Sequence, residues 1–244
     1  MSSHDEHLAI VDGSAEYADF EGFAPGTGFA PGTGFAPGTG LRILVPRGVY
    51  HPHEWSSTRF LLAALPDVRG IDVLEIGGGS GALALAIKRR GARRVVATDI
   101  SDRACAAMEC NALLNHLEID PVTGLDVRHG DLFAPLQPRE RFDLVIFNLP
   151  LMDKPVANQA EVALCDPDGD LLRRFLAGLP DALKPDGWAL FTHATISAPL
   201  PAGVPGRIQA LAENRRESGE IFRVMSWNHE DEDREGMRTQ GRMA

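Results

Sequence analysis

The chain has 244 residues, of which 44% are apolar and 24% charged, and a formal net charge of −10. This composition is typical of a globular protein with one large domain or two small ones, and the acidic balance argues against a basic face that grips nucleic-acid phosphates. No apolar run approaches the roughly 20 residues of a membrane span, and the first ten residues lack a signal-peptide pattern. We therefore expect a cytoplasmic protein.

The N-terminal segment is dominated by a repeat. The hexamer FAPGTG occurs three times without error between residues 23 and 40. Each copy carries Pro-Gly, which favours a turn and buries no helix or strand face. We interpret residues 1–40 as a flexible arm, either a recent duplication without function or a segment that closes over a site. Residues 229–244 are predicted to form a charged tail, and residues 41–228 the folded domain.

From residue 41 onward, short apolar runs alternate with helical patterns. A strand at LRILV and a helix beginning near Ser57 come first. Further strands are predicted at IDVLEIG, RRVVATDI, DVRHGDLF, FDLVIFNLP, WALFTHATI and IFRVMSW, and further helices at ALALAIKRRGA, SDRACAAMECNALLNHL, DLLRRFLAGLPDALKPDG (ending near Pro185) and RIQALAENRR. This alternation predicts an α/β fold with a Rossmann-like, doubly wound and mostly parallel sheet, in which ligands bind at the carboxyl ends of the strands.

A glycine-rich loop joins the first central strand to its helix. It reads Glu75-Ile-Gly77-Gly-Gly79-Ser-Gly and satisfies the pattern G-x-G-x-x-G/A with Ala82. Glycines at this corner let the backbone approach a ligand closely, but the pattern fits a nicotinamide dinucleotide as well as another nucleoside. Asp99 closes the next strand, where a carboxylate can accept both hydroxyls of a ribose.

Several motifs together resemble class I S-adenosylmethionine-dependent methyltransferases. They are VLEIGGGSGALALA, VVATDIS, NA in the next helix, GDLF and an Asn-x-Pro at residues 148–150. The segment GVYHPHEWSSTRFLL and the helix after DPDG are similar to the HemK/PrmC branch, which methylates side-chain amides and exocyclic amines. The likeness covers residues 41–196 and implies the class I methyltransferase fold, with S-adenosylmethionine as cofactor.

The resemblance also implies roles for residues at the strand ends. The methionine part of the cofactor would be contacted by Glu75, Gly77, Gly78 and Gly79. The ribose would be contacted by Asp99 and Ile100, and the adenine by Asp131 and Leu132.

The stretch Asn148-Leu149-Pro150-Leu151 follows a strand. In the N-methylating members the motif is Asn/Asp-Pro-Pro-aromatic, whose Asn oxygen and a neighbouring carbonyl accept the hydrogens of the target amine. Asn148 and Pro150 fit this pattern, whereas Leu149 and Leu151 do not. The resemblance implies a catalytic role for Asn148, Pro150 and the Leu149 backbone, with Asn148 also bordering the cofactor; a simple strand end is the alternative.

Weaker candidates for substrate contacts are Tyr50, His51 and His193. Tyr50 and His51 lie in the segment that approaches the substrate in the family. The pair His51 and His53 could hold a metal, but no third ligand is in view, so no metal is expected. His193 ends a strand and could act as a base or simply hold a hydrogen bond there.

The sequence therefore predicts an enzyme that methylates a nitrogen of a small metabolite or amino-acid-like acceptor. Protein glutamine methylation is the alternative, although only a short arm precedes residue 41 where the bacterial release-factor enzymes have a helical domain. A non-catalytic cofactor-binding module is a third possibility. We expect neither a membrane nor a nucleic-acid partner.

Overall fold

The computed structural model describes residues 16–20, 40–46, 48–50, 52, 57–216 and 218–229. Within them the strands are β1 Glu16–Phe20, β2 Leu41–Val45, β3 Asp72–Ile76, β4 Arg94–Asp99, β5 Leu125–His129, β6 Phe142–Phe147, β7 Leu183–Ala194, β8 Arg207–Arg215 and β9 Ile221–Asn228. The helices are α1 Ser57–Ala64, α2 Ala82–Arg89, α3 Asp102–Leu114 and α4 Asp170–Ala182, with 3₁₀ turns at Gln159–Ala163 and Pro167–Gly169.

Seven strands form the central sheet in the order β5-β4-β3-β6-β7-β9-β8. Strands β3 to β7 run parallel, while β9 pairs antiparallel with both β7 and β8. The chain reverses its direction of winding between β3 and β6, and such a switch point opens a crevice at the carboxyl ends of the strands. The prediction of a Rossmann-like, mostly parallel sheet is confirmed.

The sheet is buried on both faces, and its central strands are mostly apolar. All five residues of β3 are buried. Val73 belongs to the apolar cluster on one face, together with α1 and α2, while its neighbour Leu74 belongs to the cluster on the other face, together with α4. This alternation follows from the opposite directions of successive strand side chains.

The prediction of a helix at RIQALAENRR was wrong. These residues form β8, the edge strand, which pairs with β9 from Arg207 opposite Asn228 to Arg215 opposite Ile221. The strand is mostly exposed, so its sequence lacks the alternation that marks a half-buried strand, and pairing with β9 overrides the helical propensity of its Ala, Leu and Glu residues. The two C-terminal strands complete the sheet.

The helix predicted to end near Pro185 ends earlier, at Ala182. Leu183 is already extended and pairs with Phe142 of β6. The register then shifts before Trp188 pairs with Leu144, and this irregularity accommodates the segment that contains Pro185 and Gly187.

A two-stranded sheet of β1 and β2 is tied to α3 by two asparagines. Asn111 accepts a hydrogen bond from the Leu44 N–H (2.7 Å) and donates to the Leu44 carbonyl (2.8 Å). Asn115, one helical turn later, accepts a hydrogen bond from the Arg42 N–H (2.9 Å) and donates to the Arg42 carbonyl (2.7 Å). Asn111 also donates to the Ser80 carbonyl in the glycine loop (2.8 Å). The side-chain amides therefore act as an additional strand edge for β2 and connect it to the glycine loop.

Replacing Asn111 with alanine should destabilise the protein by about 3 kcal/mol, because two carbonyls and one N–H would lose their partners in a fully buried place. Urea unfolding of Asn111→Ala measures this loss. Glu109→Ala is the control, since Glu109 is exposed on the same helix and its removal should change the free energy of unfolding by less than about 0.5 kcal/mol. Equal effects of the two substitutions would contradict the structural role of the Asn111 hydrogen bonds.

The repeats at residues 23–39 and the tail from residue 230 lie outside the described residues, so the boundaries at 40 and 229 remain predictions. In the described part of the chain, no helix has the length and apolar character needed to span a bilayer.

Candidate functional site

One cavity of about 470 Å³ lies at the carboxyl ends of the parallel strands. Its wall is built from loops that follow β3, β4, β5 and β6, together with residues near α1 and the β8–β9 hairpin. The strand order brings these loops together, since β3 lies between β4 and β6.

The glycine loop after β3 forms one side of this cavity. Gly77, Gly79 and Gly81 have positive φ angles of 63°, 56° and 81°, which other residues rarely adopt. At Gly78 a side chain would collide with the sulfur of Met108 from α3. The loop therefore stays thin and leaves its backbone available to a ligand.

Asp99, at the end of β4, holds this loop in place. One carboxylate oxygen accepts from the Gly79 N–H and the other from the Ser101 N–H, both at 2.9 Å. Burial raises the pKa of Asp99, although these backbone N–H groups oppose the rise. Each oxygen has further acceptor capacity, and the side chain lines the cavity, so a ligand with two neighbouring hydroxyls could bind here.

Glu75, within β3, carries an unsatisfied oxygen at the cavity wall. The residue is 2% exposed, and its Oε2 has no hydrogen-bond partner among the described residues. Burial raises the pKa of Glu75 well above its usual range, the charge of Asp99 adds to this rise, and an N–H bond from Ala84 opposes it. A buried carboxylate of this kind suits a ligand that brings a cation or an N–H donor.

We expect Glu75→Gln to stabilise the ligand-free protein by about 1 kcal/mol at pH 8 while weakening the binding of a cationic ligand. The folded pKa of Glu75 lies above the unfolded value, so unfolding releases a proton between the two. Stability therefore falls as pH rises from the unfolded pKa near 4.5 to the folded one and stays lower above it. The free energy of unfolding of Glu75→Gln should therefore exceed that of the native protein by more at pH 8 than at pH 5, as measured by urea unfolding. A variant less stable than the native protein at pH 8 would contradict this account.

Asp131 and Leu132 follow β5 on the far side of Asp99. Asp131 forms an ion pair with Arg174 of α4. Leu132 has a positive φ of 47°, and its carbonyl accepts from the buried Thr98 hydroxyl at 3.0 Å. Both residues line the cavity, and Ile100 lies at its rim with a side chain that is 61% exposed.

Asn148 extends from the end of β6 into the same cavity and is oriented by two threonines. Its amide nitrogen donates to the Thr58 hydroxyl of α1 (3.1 Å), and its oxygen lies 3.5 Å from the Thr192 hydroxyl of β7. Thr192 also donates to the Leu149 carbonyl at 3.2 Å. No sequence motif indicates these two threonines as site residues, because they lie 90 and 44 residues away from Asn148 in the chain.

Leu149, Pro150 and Leu151 continue along the cavity wall, and Leu149 also belongs to the apolar core. The departure from the Asn-Pro-Pro-aromatic pattern thus leaves an aliphatic surface beside Asn148.

The weaker substrate candidates have different outcomes. Tyr50 lines the cavity; Ser57 hydrogen-bonds to its hydroxyl, and burial raises its pKa. His193 does not line it, since its ring lies 3.0 Å from the Ala198 carbonyl and burial lowers its pKa. His51 and His53 lie outside the described residues. Among the residues with described positions, no three His, Cys, Asp or Glu side chains are grouped as a metal site would require.

Residues 40–192 match the family model of the methyltransferase small domain, which is more than half of the chain. The chain belongs to this family. The protein is therefore an S-adenosylmethionine-dependent methyltransferase. Its nucleoside ligand is S-adenosylmethionine, so the dinucleotide alternative for the glycine loop does not apply, and neither does the non-catalytic module.

The methyltransferase is 34% identical over 145 residues to a protein of Methanocaldococcus jannaschii named "Putative protein N5-glutamine methyltransferase", covering 57% of this chain and 68% of that one. It is 42% identical over 80 residues to the ribosomal protein L11 methyltransferase of Caldicellulosiruptor saccharolyticus, covering 33% of this chain but 24% of the relative. The crystal structure of ribosomal protein L11 methylase from Lactobacillus delbrueckii shares the fold, with a TM-score of 0.51 and 22% identity over 76% of this chain and 84% of that chain.

The site fits S-adenosylmethionine in its chemistry. A sulfonium nucleoside with an amino-acid tail brings an ammonium group, two ribose hydroxyls and a flat base. The unsatisfied Glu75 oxygen, the Asp99 carboxylate and the side-chain-free loop between them provide the complementary groups.

Proposed function

We propose that this methyltransferase methylates a nitrogen atom of a small, amino-acid-like acceptor, with Asn148 as the residue that orients it. The observation that carries the proposal is the position of the Asn148 amide. It faces the cavity that Glu75 and Asp99 also line, and it is tethered from both sides by Thr58 and Thr192. A tethered amide can hold a neutral amine without needing to remove its proton in advance.

The cofactor would be bound along the strand ends. Glu75 would hold its ammonium group beside the backbone of Gly77, Gly78 and Gly79. Asp99 would accept the ribose hydroxyls, with Ile100 covering the sugar at the cavity rim. Farther along, Asp131 would accept from the adenine amino group and Leu132 would cover the ring. The burial of Glu75 and the fixed orientation of Asp99 support these roles.

When bound, S-adenosylmethionine supplies an electrophilic methyl group on a sulfonium. Asn148 would accept one N–H of the acceptor on its oxygen, and the Leu149 carbonyl, which already accepts from Thr192, would accept a second on its remaining lone pair. Pro150 would keep this carbonyl pointing into the cavity. Alignment of the nitrogen lone pair, rather than a strong base, would provide most of the rate.

Transfer of label from S-adenosylmethionine tests the proposal. The native enzyme and Asn148→Ala would be incubated with the labelled methyl donor and a panel of amino acids, amino acid amides and polyamines. We expect label in at least one nitrogen compound with the native enzyme and at least 100-fold less with the variant. Label found on oxygen or carbon instead, or equal turnover by the variant, would contradict it.

A protein acceptor is the second candidate, favoured by the names of the relatives, which include protein N5-glutamine and ribosomal protein L11 methyltransferases. Incubation with a protein that contains a Gly-Gly-Gln sequence, with and without extract as a source of partner proteins, separates the two. Label in the protein and none in small compounds would favour this candidate. A cytoplasmic location remains part of the proposal, on sequence grounds.

A further inference from the structure

A cation lies in the wall of the acceptor cavity where the sequence motifs gave no reason to expect one. Arg216 follows β8 and begins the turn to β9. Its N–H donates to the Glu220 carbonyl (2.8 Å), and its carbonyl accepts from Gly219 (3.0 Å). Its guanidinium carbon lies 4.2 Å from the centre of the Phe222 ring. Turn and ring together restrict the position of this half-buried charge.

Arg216 differs from every other charged residue of the cavity wall. Glu75, Asp99 and Asp131 are acidic and lie on the strand-end loops after β3, β4 and β5, whereas Arg216 is the one Arg or Lys among the described lining residues. None of these three carboxylates, nor any other described acid, forms an ion pair with it. The cavity is therefore divided into an acidic cofactor side and a side with one positive charge.

The acids of the same hairpin have other partners. Glu213 forms an ion pair with Arg223 at 2.7 Å, and the Glu220 carboxylate accepts from the Ser218 hydroxyl at 3.3 Å. Within the described part of the hairpin, neither carboxylate forms an ion pair with Arg216. A half-buried guanidinium with no ion pair among the described residues is well placed to bind an anionic ligand.

The contacts of Tyr50 relate this charge to the acceptor side of the cavity. Burial raises the pKa of Tyr50, and a hydrogen bond with Ser57 and the positive charge of Arg216 oppose the rise. Thr58, the residue after Ser57, accepts from the Asn148 amide (3.1 Å). Arg216, Tyr50, Thr58 and Asn148 therefore line the same cavity, and Thr58 joins α1 to Asn148.

We propose that the methyl acceptor carries a carboxylate, which Arg216 binds while Asn148 holds the nitrogen to be methylated. The inference rests on the proposed function for the place of the nitrogen. A guanidinium binds a carboxylate through two parallel hydrogen bonds and fixes its orientation. The cavity has about 470 Å³ for cofactor and acceptor together, so the part of the acceptor that enters it is about the size of an amino acid.

A binding measurement tests the proposed contact between Arg216 and the acceptor carboxylate without requiring turnover. The protein saturated with S-adenosylhomocysteine would be titrated in a calorimeter with the standard amino acids and, for each, its carboxamide, which differs only at the carboxyl group. We expect at least one amino acid to bind about 30-fold more tightly than its amide, and Arg216→Gln to abolish the difference. Arg216→Lys should retain part of the preference for the amino acid over its amide, because lysine keeps the positive charge but cannot form the bidentate pair with a carboxylate.

Arg215→Gln is the matched control, since Arg215 is the exposed preceding residue and does not line the cavity. It should preserve the preference for carboxylates, and all variants should retain the native affinity for S-adenosylhomocysteine. If no amino acid binds more tightly than its amide, or if the preference survives in Arg216→Gln, the proposal is overturned. A carboxylate preference that depends on Arg216 but is accompanied by no methyl transfer would instead contradict the proposed function alone.

Discussion

Replacing Asn148 with alanine is expected to lower kcat by a factor of about 100 to 1000 while changing the affinity for S-adenosylmethionine by less than about threefold. The substitution removes the oxygen that would orient the acceptor. It leaves Glu75 and Asp99 intact on the other side of the cavity. Steady-state rates on the acceptor identified by label transfer, together with calorimetric titration of the cofactor, measure the two quantities separately.

The side chain of Asn148 also donates to the Thr58 hydroxyl and lies 3.5 Å from the Thr192 hydroxyl, so a structural effect must be separated from a catalytic one. Asn148→Asp keeps an acceptor oxygen of the same shape and should retain more activity than alanine. Thr58→Val removes one tether and should lower kcat by about tenfold with the chemistry of Asn148 intact. Asn148→Ala turning over within threefold of the native enzyme would refute the assigned role.

Asp99→Ala is expected to weaken the binding of S-adenosylmethionine by at least about 100-fold. The carboxylate serves two purposes, since it accepts the N–H groups of Gly79 and Ser101 and would accept the ribose hydroxyls. Each hydrogen bond to a charged group contributes about 1.5–3 kcal/mol, so the loss of two such bonds to the ribose reaches that factor.

The control for this substitution is Asp181→Ala, which removes an exposed carboxylate from the last turn of α4. It should bind the cofactor with native affinity. Asp99→Asn separates the two purposes of the carboxylate, because an amide oxygen can replace one of the backbone contacts but cannot accept at both positions. If Asp99→Ala binds as well as Asp181→Ala, the ribose is bound elsewhere.

The cofactor side of the site follows closely from local sequence. Glu75, the glycines after it and Asp99 lie at the ends of neighbouring parallel strands, and parallel strands bring their carboxyl ends to one edge. Short apolar runs that end in Gly or Asp therefore predicted which residues line the cavity. Gly77 and Gly79 also have positive φ angles there, which ties the residue type to the backbone shape.

The acceptor side depends on contacts between distant parts of the chain. Thr58 lies 90 residues before Asn148, and Arg216 enters the cavity from a hairpin whose first strand reads as a helix. The apolar and helix-favouring residues of β8 are compatible with a strand as well as with a helix. Pairing with β9 stabilises the strand. No local motif marks Arg216, because its place in the cavity wall depends on that pairing.

A crystal structure of the protein with S-adenosylhomocysteine is the strongest test of the proposed site. We expect the ribose hydroxyls on Asp99, the amino group on the unsatisfied Glu75 oxygen and the sulfur directed toward Asn148. A ligand whose sulfur points away from Asn148, or whose ribose lies elsewhere than at Asp99, would contradict it.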